Sequence, residues 1–505
     1  MRRQYIIIAL AFATAAGLGS CKKSFFDINH DPNNATNASP ELVLPNAQGA
    51  TGAVQVIGLI TPQINFGPSY INWQGWMDYW APSGSYAINS SDIASYKITN
   101  TFGDFGIWQA NYDNLEDYNY VEKSAAAQSK PFYVGAAKIM KALVFQQLVD
   151  NYDNVPYTDA FQGTTVIQPK YDKGSDIYDS IVNQLDLAVD LLKRADAIAA
   201  ANSDILFNGD ASKWVKFANT LKLRILMRQS QVTSKAAFIT AELAKITANG
   251  GGFLTEDAGV NPGYANNAGQ QNPLYGFFVT LTGLPTSGGS ADLFRAAQYS
   301  ISFLHDNNDN RLQRIYSPND QGNYVGSVLG SQSNPTGTST SSMGPGLLKS
   351  VSQPSIVISA AESYFLQAEA NLRGWLGTAA DATTNFDNGV QASFNFLGAS
   401  GAAAYYSQPG NKNVNITACT TFDEKLACII RQKWVAMNGV TPVEAWDDYR
   451  RLHLPAGLPL SISPYTQGAI PTRLDYPNSE FQTNAAAVSA EPTVDPQKSK
   501  VFWMP

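Results

Sequence analysis

The chain has 505 residues, is 44% hydrophobic and 11% aromatic, and only 15% of it is charged; that apolar share is globular and excludes wholesale disorder. Its 34 Lys and Arg against 41 Asp and Glu give a net charge of −7. With no long basic run, a nucleic-acid partner is excluded, because phosphate binding needs clustered cations. Three His and three Cys are too few for zinc or thiol chemistry to be the main activity.

At the N-terminus, Arg2 and Arg3 precede a run from Tyr5 to Ala16 that is apolar or small. A bilayer span needs roughly 20 such residues, so the run predicts a signal peptide rather than a membrane helix. It ends Leu18-Gly19-Ser20-Cys21, which resembles a bacterial lipobox; Gly19 is a less common choice at its position. Residues 1–20 then form a lipoprotein signal peptide and Cys21 becomes the lipid anchor. The alternative is an ordinary signal peptide with an incidental Cys. Several acyl chains hold firmly where one does not. No second apolar run of 18 or more residues follows, so 21–505 is expected as a single tethered domain.

From Lys22 to Pro45 the chain is polar and rich in Asn and Pro, which reads as an extended leader. Apolar residues then recur at helical spacing. Asp104–Lys123 carries Trp108, Tyr112 and Leu115 on one face, and Phe132–Val149 carries Ile139, Leu143 and Leu148. The second run stops at the turn-rich Asn151-Tyr152-Asp153-Asn154-Val155-Pro156. Helices are expected at Asp176–Ala195, Asp210–Arg228 and Ala236–Ala248. Residues 249–355 change character: Asn249-Gly250-Gly251-Gly252, Pro285-Thr286-Ser287-Gly288-Gly289 and Ser331–Gly346 are loop-forming. Loops this long are functional or disordered, so the segment reads as a loop-rich excursion with minor β content. Helices resume at Ser359–Leu376, Ala380–Phe396, Phe422–Met437 and Pro442–Leu452, the third opened by the capping box Thr421-Phe422-Asp423-Glu424. Cys419 and Cys428 flank that start, as a disulfide or as two buried thiols. The fold class is mostly α, an irregular helical bundle with tetratricopeptide-like helix pairs; Tyr178 and Ala188 are the large and small residues such pairs interlock. A strict 34-residue repeat is not present.

Several segments together resemble the SusD/RagB family of nutrient-binding outer-membrane lipoproteins of Bacteroidetes. They are Asp27-Ile28-Asn29-His30-Asp31-Pro32-Asn33, then Leu148 to Tyr157, then Trp214 to Arg224 with Arg228. Ala361 to Ala370 with Arg373-Gly374-Trp375, Arg431-Gln432-Lys433-Trp434, Glu444 to Arg451 and Arg473-Leu474-Asp475-Tyr476-Pro477 complete the set. Asn310, where Pro is expected before Arg311, is a small departure. The resemblance implies a mostly α SusD-like fold at the cell surface. It also implies a SusC-like TonB-dependent transporter as partner, and capture of an oligosaccharide or, in some members, a peptide. The blocks themselves look structural: Trp214, Leu221 and Phe365 fall at core spacing, and Arg450 and Arg451 beside Asp447 and Asp448 look ion-paired near a helix end.

The densest aromatic stretch runs from Tyr70 to Trp80, with Tyr86 after a turn. An indole or phenol face packs flat on the C–H face of a sugar, and Asn72, Gln74 and Asp78 could bond its hydroxyls. Trp73, Trp76, Tyr79, Trp80 and Tyr86 are therefore ligand candidates. Trp73, Trp76 and Trp80 also fit one helical face, which is the core reading, and a mixture of the two is expected. Tyr264, Tyr275 and Tyr324 on the excursion are further candidates, because loops carry ligand contacts more often than frames do. No Arg or Lys cluster sits beside the aromatic stretch, which disfavours strongly anionic glycans.

Asp306 to Asn310 starts like a calcium loop but has Arg311 at the sixth place and Ser317 at the twelfth, so a hydrated turn is expected and no metal. Glu362 and Glu369 lie about 10.5 Å apart along one helix side, which does not straddle a glycosidic bond. No G-x-S-x-G, H-E-x-x-H or phosphate loop occurs. The chain is read as a binding protein with no cofactor and no catalysis, which delivers its ligand to the transporter. The alternative is a gate subunit with little ligand affinity of its own.

Overall fold

The computed structural model describes residues 38–57, 68–85, 92–100, 107–195, 200 and 202–505. Cys21, the signal peptide, most of the expected leader and Tyr86 lie outside these residues. Pro40 to Pro505 form one compact unit.

In chain order the longer helices are α1 (Pro40–Ile57), α2 (Pro68–Trp76), α3 (Trp108–Ala127), α4 (Pro131–Tyr152), α5 (Gly174–Leu192), α6 (Ala211–Arg228) and α7 (Ala236–Asn249). Then come α8 (Pro273–Phe278), α9 (Gln298–Asp306), α10 (Ala360–Leu372), α11 (Ala379–Leu397), α12 (Phe422–Met437), α13 (Pro442–Leu452) and α14 (Asn478–Thr483). Three antiparallel two-stranded sheets accompany them: β1 (Trp80–Pro82) with β3 (Phe294–Ala296), β2 (Ala258–Val260) with β6 (Ser355–Ile358), and β4 (Tyr316–Ser317) with β5 (Ser342–Met343). β2, β3, β4, β5, α8 and α9 all fall inside the loop-rich excursion.

Local signals set the helix ends. Asp210 accepts from the backbone N–H of Ser212 and Lys213 at the start of α6, and Ser359 caps α10 through Glu362. Thr421 with Glu424 forms the expected capping box of α12, and Thr378 with Asp381 forms a second on α11. α1 departs from expectation. Residues 40–45, read as extended leader, are helical from Pro40, because Pro at a first helical position surrenders an N–H that has no partner there anyway.

Successive helices pack as pairs, α3 on α4, α4 on α5 and α10 on α11. α4 is buried along its length except at Pro131, Lys138 and Lys141, the lysines marking its one open strip. A Cβ on Gly135 would stand 2.9 Å from Leu192 Cγ, and one on Gly389 2.9 Å from the Phe365 ring. Both pairs therefore close through a missing side chain.

The pairs are tied together by buried charge. Arg224 on α6 grips Glu362 on α10 with two bonds of 2.7 and 2.8 Å, and its Nη1 lies 3.3 Å from Glu444 on α13. Arg228, one turn on, reaches Glu444 at 2.5 Å, Asp447 at 2.7 Å and Asp150 on α4 at 3.3 Å. Arg450 pairs with Asp447, and Arg451 holds Glu369 on α10 with two 2.7 Å bonds and Asp448 with one of 2.8 Å. Lys433 on α12 meets Asp448 at 2.8 Å and Arg373 meets Glu369 at 2.8 Å. Six cations thus face six carboxylates, all but Arg373 almost wholly out of water. Burial pushes the Asp447 carboxyl up to about 7 against the pull of Arg228 and Arg450. Despite its burial, Asp448 is held well below the usual range by Lys433 and Arg451. The pairing expected at Arg450 and Arg451 is present in the last turn of α13, near the helix end as expected, and it lies buried in the centre of the protein.

The aromatic stretch is a spine of this core. Trp73, Trp76, Tyr79 and Trp80 are 8, 1, 0 and 1% exposed. Trp73 and Trp76 tilt against Trp446 of α13 at 5.9 and 5.7 Å between centroids, and Tyr79 stacks on Trp434 of α12 at 5.1 Å. Trp434 Nε1 donates to Met77 O at 3.0 Å and Tyr79 OH to Trp434 O at 2.5 Å. The ligand-platform reading of these four residues gives way to the core reading, because rings without an open face cannot stack on a sugar. Nor do they share one helical face: α2 ends at Trp76 and Trp80 opens β1. Asn72 and Gln74 are buried too. Asp78 lies among them with φ +55°, its carboxyl has no hydrogen-bond partner among the described residues, and burial pushes it up to about 7. Cys419 and Cys428 are both buried free thiols.

Two outcomes are expected. Glu444→Ala strands Arg224 and Arg228 without their shared partner and should cost about 3–5 kcal/mol, read as a lower denaturant midpoint; truncating the exposed Lys498 of the Lys498–Asp495 pair should leave the midpoint in place. Unfolded Asp78 ionises near its ordinary value, whereas folded Asp78 holds its proton to about 7. Stability from this residue therefore falls as pH rises from about 4 to about 7. Asp78→Asn should match the parent at pH 4 and exceed it at pH 8 by up to about 4 kcal/mol. A difference that does not change with pH would show that the carboxyl is ionised in the folded state.

Candidate functional site

With the four spine residues in the core and Tyr86 outside the described residues, the remaining candidates lie on the excursion. Asn261 Oδ1 accepts from the backbone N–H of Gly263 and Tyr264 at 3.0 and 2.9 Å, which fixes the turn that presents Tyr264. Tyr264 OH and Ser355 Oγ share a 3.0 Å hydrogen bond, and burial raises the phenol's pKa. Asn272 Nδ2 donates to the same Ser355 Oγ at 3.3 Å, while its Oδ1 caps α8 by accepting from Tyr275 N at 3.0 Å. The structure thus ties Tyr264 and Tyr275 to one patch through Asn272 and Ser355, with both rings half-buried.

The spine supports this patch from below. Trp80 meets Phe278 edge-on at 5.2 Å, and Phe277 stacks on Phe294 of β3 at 6.0 Å. Tyr324 stands apart, beyond the turn at Asn319–Asn323 and three residues before Ser327, which bridges to Ala297. It is half-buried and burial raises its pKa.

Around Tyr264 and Tyr275 the polar groups are amides. Asn266 Nδ2 donates to Leu281 O at 3.0 Å and Asn267 Nδ2 to Gln270 Oε1 at 2.9 Å. Gln271 Nε2 is buried with no hydrogen-bond partner among the described residues. A buried donor left unmade costs free energy, so this amide is a place where a ligand oxygen would be welcome. The sequence between Asp257 and Asp292 contains no charged residue, and neither does that between Asp320 and Lys349. These two runs therefore present hydroxyls, amides and half-open rings with no ionic group among them. That combination suits a ligand rich in hydroxyls and without charge. Gln271 and Asn272 escaped sequence reasoning, although the uncharged run around them was a signal that could have found them.

The cavities on other faces are charged. One of about 450 Å³ lies between β2, β6 and α11, where the Lys349 ammonium sits 3.5 Å from the Phe396 ring centroid beside Asp257. Burial lowers the Lys349 pKa and raises that of Asp257. Another, of about 360 Å³ between α3 and α4, holds Lys138 and Lys141 at 2.6 and 3.0 Å from Glu122. Glu362 and Glu369, weighed above as a carboxylate pair, are engaged by Arg224 and Arg451. Asp309, in the candidate calcium turn, is buried against Arg311 at 2.7 Å. Among the described residues no group of three or more His, Cys, Asp or Glu could hold a metal ion, and no helix is long and apolar enough to cross a membrane.

Comparison with known proteins agrees with this architecture. No curated protein matches the sequence. Solved structures do. A SusD-like protein from Bacteroides thetaiotaomicron superposes with a TM-score of 0.73 at 23% identity, covering 91% of this chain and 98% of that one. A chitin-binding SusD homologue from Flavobacterium johnsoniae gives 0.72 at 24% identity over 91% and 98%. A SusD homologue from Bacteroides fragilis gives 0.73 at 20% over 92% and 99%. At these identities the likeness shows a shared fold. The profile of one family, SusD-like and described as starch-binding and associating with the outer membrane, matches residues 57–477. That match spans most of the chain and both halves of the charge network, and it shows that the chain belongs to the SusD-like family.

Proposed function

We propose that this protein is a cell-surface lipoprotein that captures a neutral oligosaccharide on the excursion and passes it to a SusC-like TonB-dependent transporter. The observation that carries the ligand class is the uncharged patch around Tyr264 and Tyr275, with the unpartnered Gln271 amide. The open faces of the two tyrosines pack on sugar C–H faces, each worth about 0.5–1.5 kcal/mol by analogy with aromatic pairs. The amides of Asn266, Asn267 and Gln271 bond hydroxyls and set orientation. A ligand with a carboxylate finds no cation here, and a ligand with an ammonium finds no anion.

Family membership and the lipobox-like Leu18-Gly19-Ser20-Cys21 support the rest of the reading. Residues 1–20 are removed, Cys21 carries the acyl chains, and 21–505 act as one domain held at the outer membrane. Tethering beside the transporter keeps a captured ligand near its entrance, an effective-concentration gain that needs no new contact. No step of this scheme breaks a bond, so no catalytic group is assigned.

The test is calorimetric titration of the full chain in detergent with maltoheptaose and with the hexamer of N-acetylglucosamine. At least one should give saturable heat, and Tyr275→Ala and Gln271→Ala should each weaken it about three- to tenfold while circular dichroism stays unchanged. Heat indifferent to both substitutions would move the site off this patch. Silence from both sugars, extended to a wider neutral panel, would favour the gate-subunit reading.

A further inference from the structure

A second cleft lies on the helical half, away from the excursion. The loop that follows α4, the first half of α3 and α14 enclose about 460 Å³, a size typical of small-ligand sites. Its apolar wall is Trp108, Tyr112 and Phe161; Trp108 and Tyr112 lie 5.1 Å apart between centroids, and Tyr112 and Phe161 6.2 Å. Phe161 is held at φ +62°, a left-handed conformation that is strained for a bulky residue, and its ring lines both this cleft and the Lys138 cleft next to it. Tyr112 is fixed by its OH, which donates to Pro156 O at 2.7 Å.

The charge in this cleft is all of one sign. Among the described residues, Asp113 and Glu480 line it and no Lys, Arg or His does. Lys123, which donates to Phe161 O at 3.4 Å, belongs to the adjoining cleft. Glu480 accepts from Tyr171 OH at 2.7 Å and from Asn484 Nδ2 at 3.1 Å, both on Oε2, so its Oε1 has no hydrogen-bond partner among the described residues. Asp113 has no hydrogen bond or ion pair there, and partial burial raises its pKa. Aromatic faces carry the negative side of their quadrupole and attract cations, more strongly when water is excluded. Lys141 reaches the Phe161 ring from the adjoining cleft, 6.0 Å from its centroid; the Trp108 and Tyr112 rings, the Asp113 carboxylate and Glu480 Oε1 have no cation among the described residues that line this cleft, and together they select a positive group on an apolar body. A neutral sugar would gain the stacking alone, and an anion would be repelled.

We propose that this cleft is a second binding site, for a cationic amino sugar: a pyranose stacked on Tyr112 and Phe161 with its free ammonium directed to Asp113 and Glu480 Oε1. The sugar body, as opposed to another amine, rests on the glycan-capture reading above; the choice of a cation rests on the cleft alone. The two sites divide ligands by charge, with the excursion taking acetylated or hydroxylated units and the cleft taking units that bear a free amine.

The full chain in detergent is titrated at pH 6 and low salt with the glucosamine hexamer, the N-acetylglucosamine hexamer and N-acetyl-lysine amide. The proposal expects saturable binding of the glucosamine hexamer, weakened at least about fivefold by Asp113→Asn and by Glu480→Gln, and weakened further at 0.5 M salt by screening. Asp113 is exposed and makes no bond in the fold, so its variant reads the site rather than stability. Glucosamine binding that ignores both variants overturns the proposal, as does a lysine derivative that binds while the glucosamine hexamer does not. If the acetylated hexamer binds and the free-amine hexamer does not, the cleft proposal fails and capture stands. If neither oligosaccharide binds, both fail.

Discussion

Arg228 is where the structure closes on itself. One guanidinium, almost wholly removed from water, touches Asp150 of α4, Glu444 and Asp447 of α13, and through Glu444 it is joined to Arg224 and so to α10. An ion taken out of water is costly unless its partners are in place. These four helices, drawn from residues 131 to 452, are therefore correct together or not at all. Asp150 accepts in addition from Tyr178 OH and, at 2.7 Å, from Trp503 Nε1. The second helix pair and the C-terminus are thereby bound to the same centre. The Arg450 guanidinium lies over Trp446, 3.4 Å from the ring centroid, and Trp446 is the ring against which Trp73 and Trp76 pack. The aromatic spine is thus an extension of the charge network, carrying its order to β1 and on to the excursion.

This arrangement divides the protein by chemistry. The frame concentrates charge inside, where the six carboxylates of the network each have a cation and none of them is available to a ligand. The excursion carries no charge over two long runs, and the buried polar groups of those runs are amides and hydroxyls, among them the unpartnered Gln271 amide. Recognition of an uncharged polyol needs such groups on a support that does not move. Trp80 under Phe278, with Tyr316 OH donating to Tyr79 O at 2.7 Å, supplies that support. The cleft at Tyr112 and Phe161 is the exception on the frame, since it exposes carboxylates that the helices have not used.

Much of the frame was legible in the sequence, and the reason is local. α12 and α13 begin and end where expected because Thr421, Glu424 and the Thr441-Pro442 step act within one turn of the helix they start. Asp210 and Ser359 do the same for α6 and α10. The aromatic stretch was not legible in the same way. A tryptophan that packs in a core and one that packs on a sugar look alike in sequence, and what separates them is whether Trp446, Trp434 and Phe278 arrive from some two to four hundred residues away. The depth of the charges was hidden for a similar reason. Arg450 and Asp447 at i and i+3 suggest a pair near a helix end, and only the convergence of α4, α6 and α10 puts that pair at the centre. Of the candidate site, Tyr264 and Tyr275 were visible as loop aromatics. Gln271 was not, because an unmade hydrogen bond exists only once the neighbours are in place.

The central claim is that an inert, charge-locked frame presents a neutral recognition surface. Hydrogen–deuterium exchange of the full chain, with and without a saturating concentration of the neutral oligosaccharide that gives heat, tests it most directly. The account predicts new protection confined to residues 261–290, with α4, α6, α12 and α13 already slow and unchanged. Protection that appears in α12 and α13 or along residues 73–80, with none at 261–290, would contradict it, because the ligand would then be entering the frame that this account treats as closed.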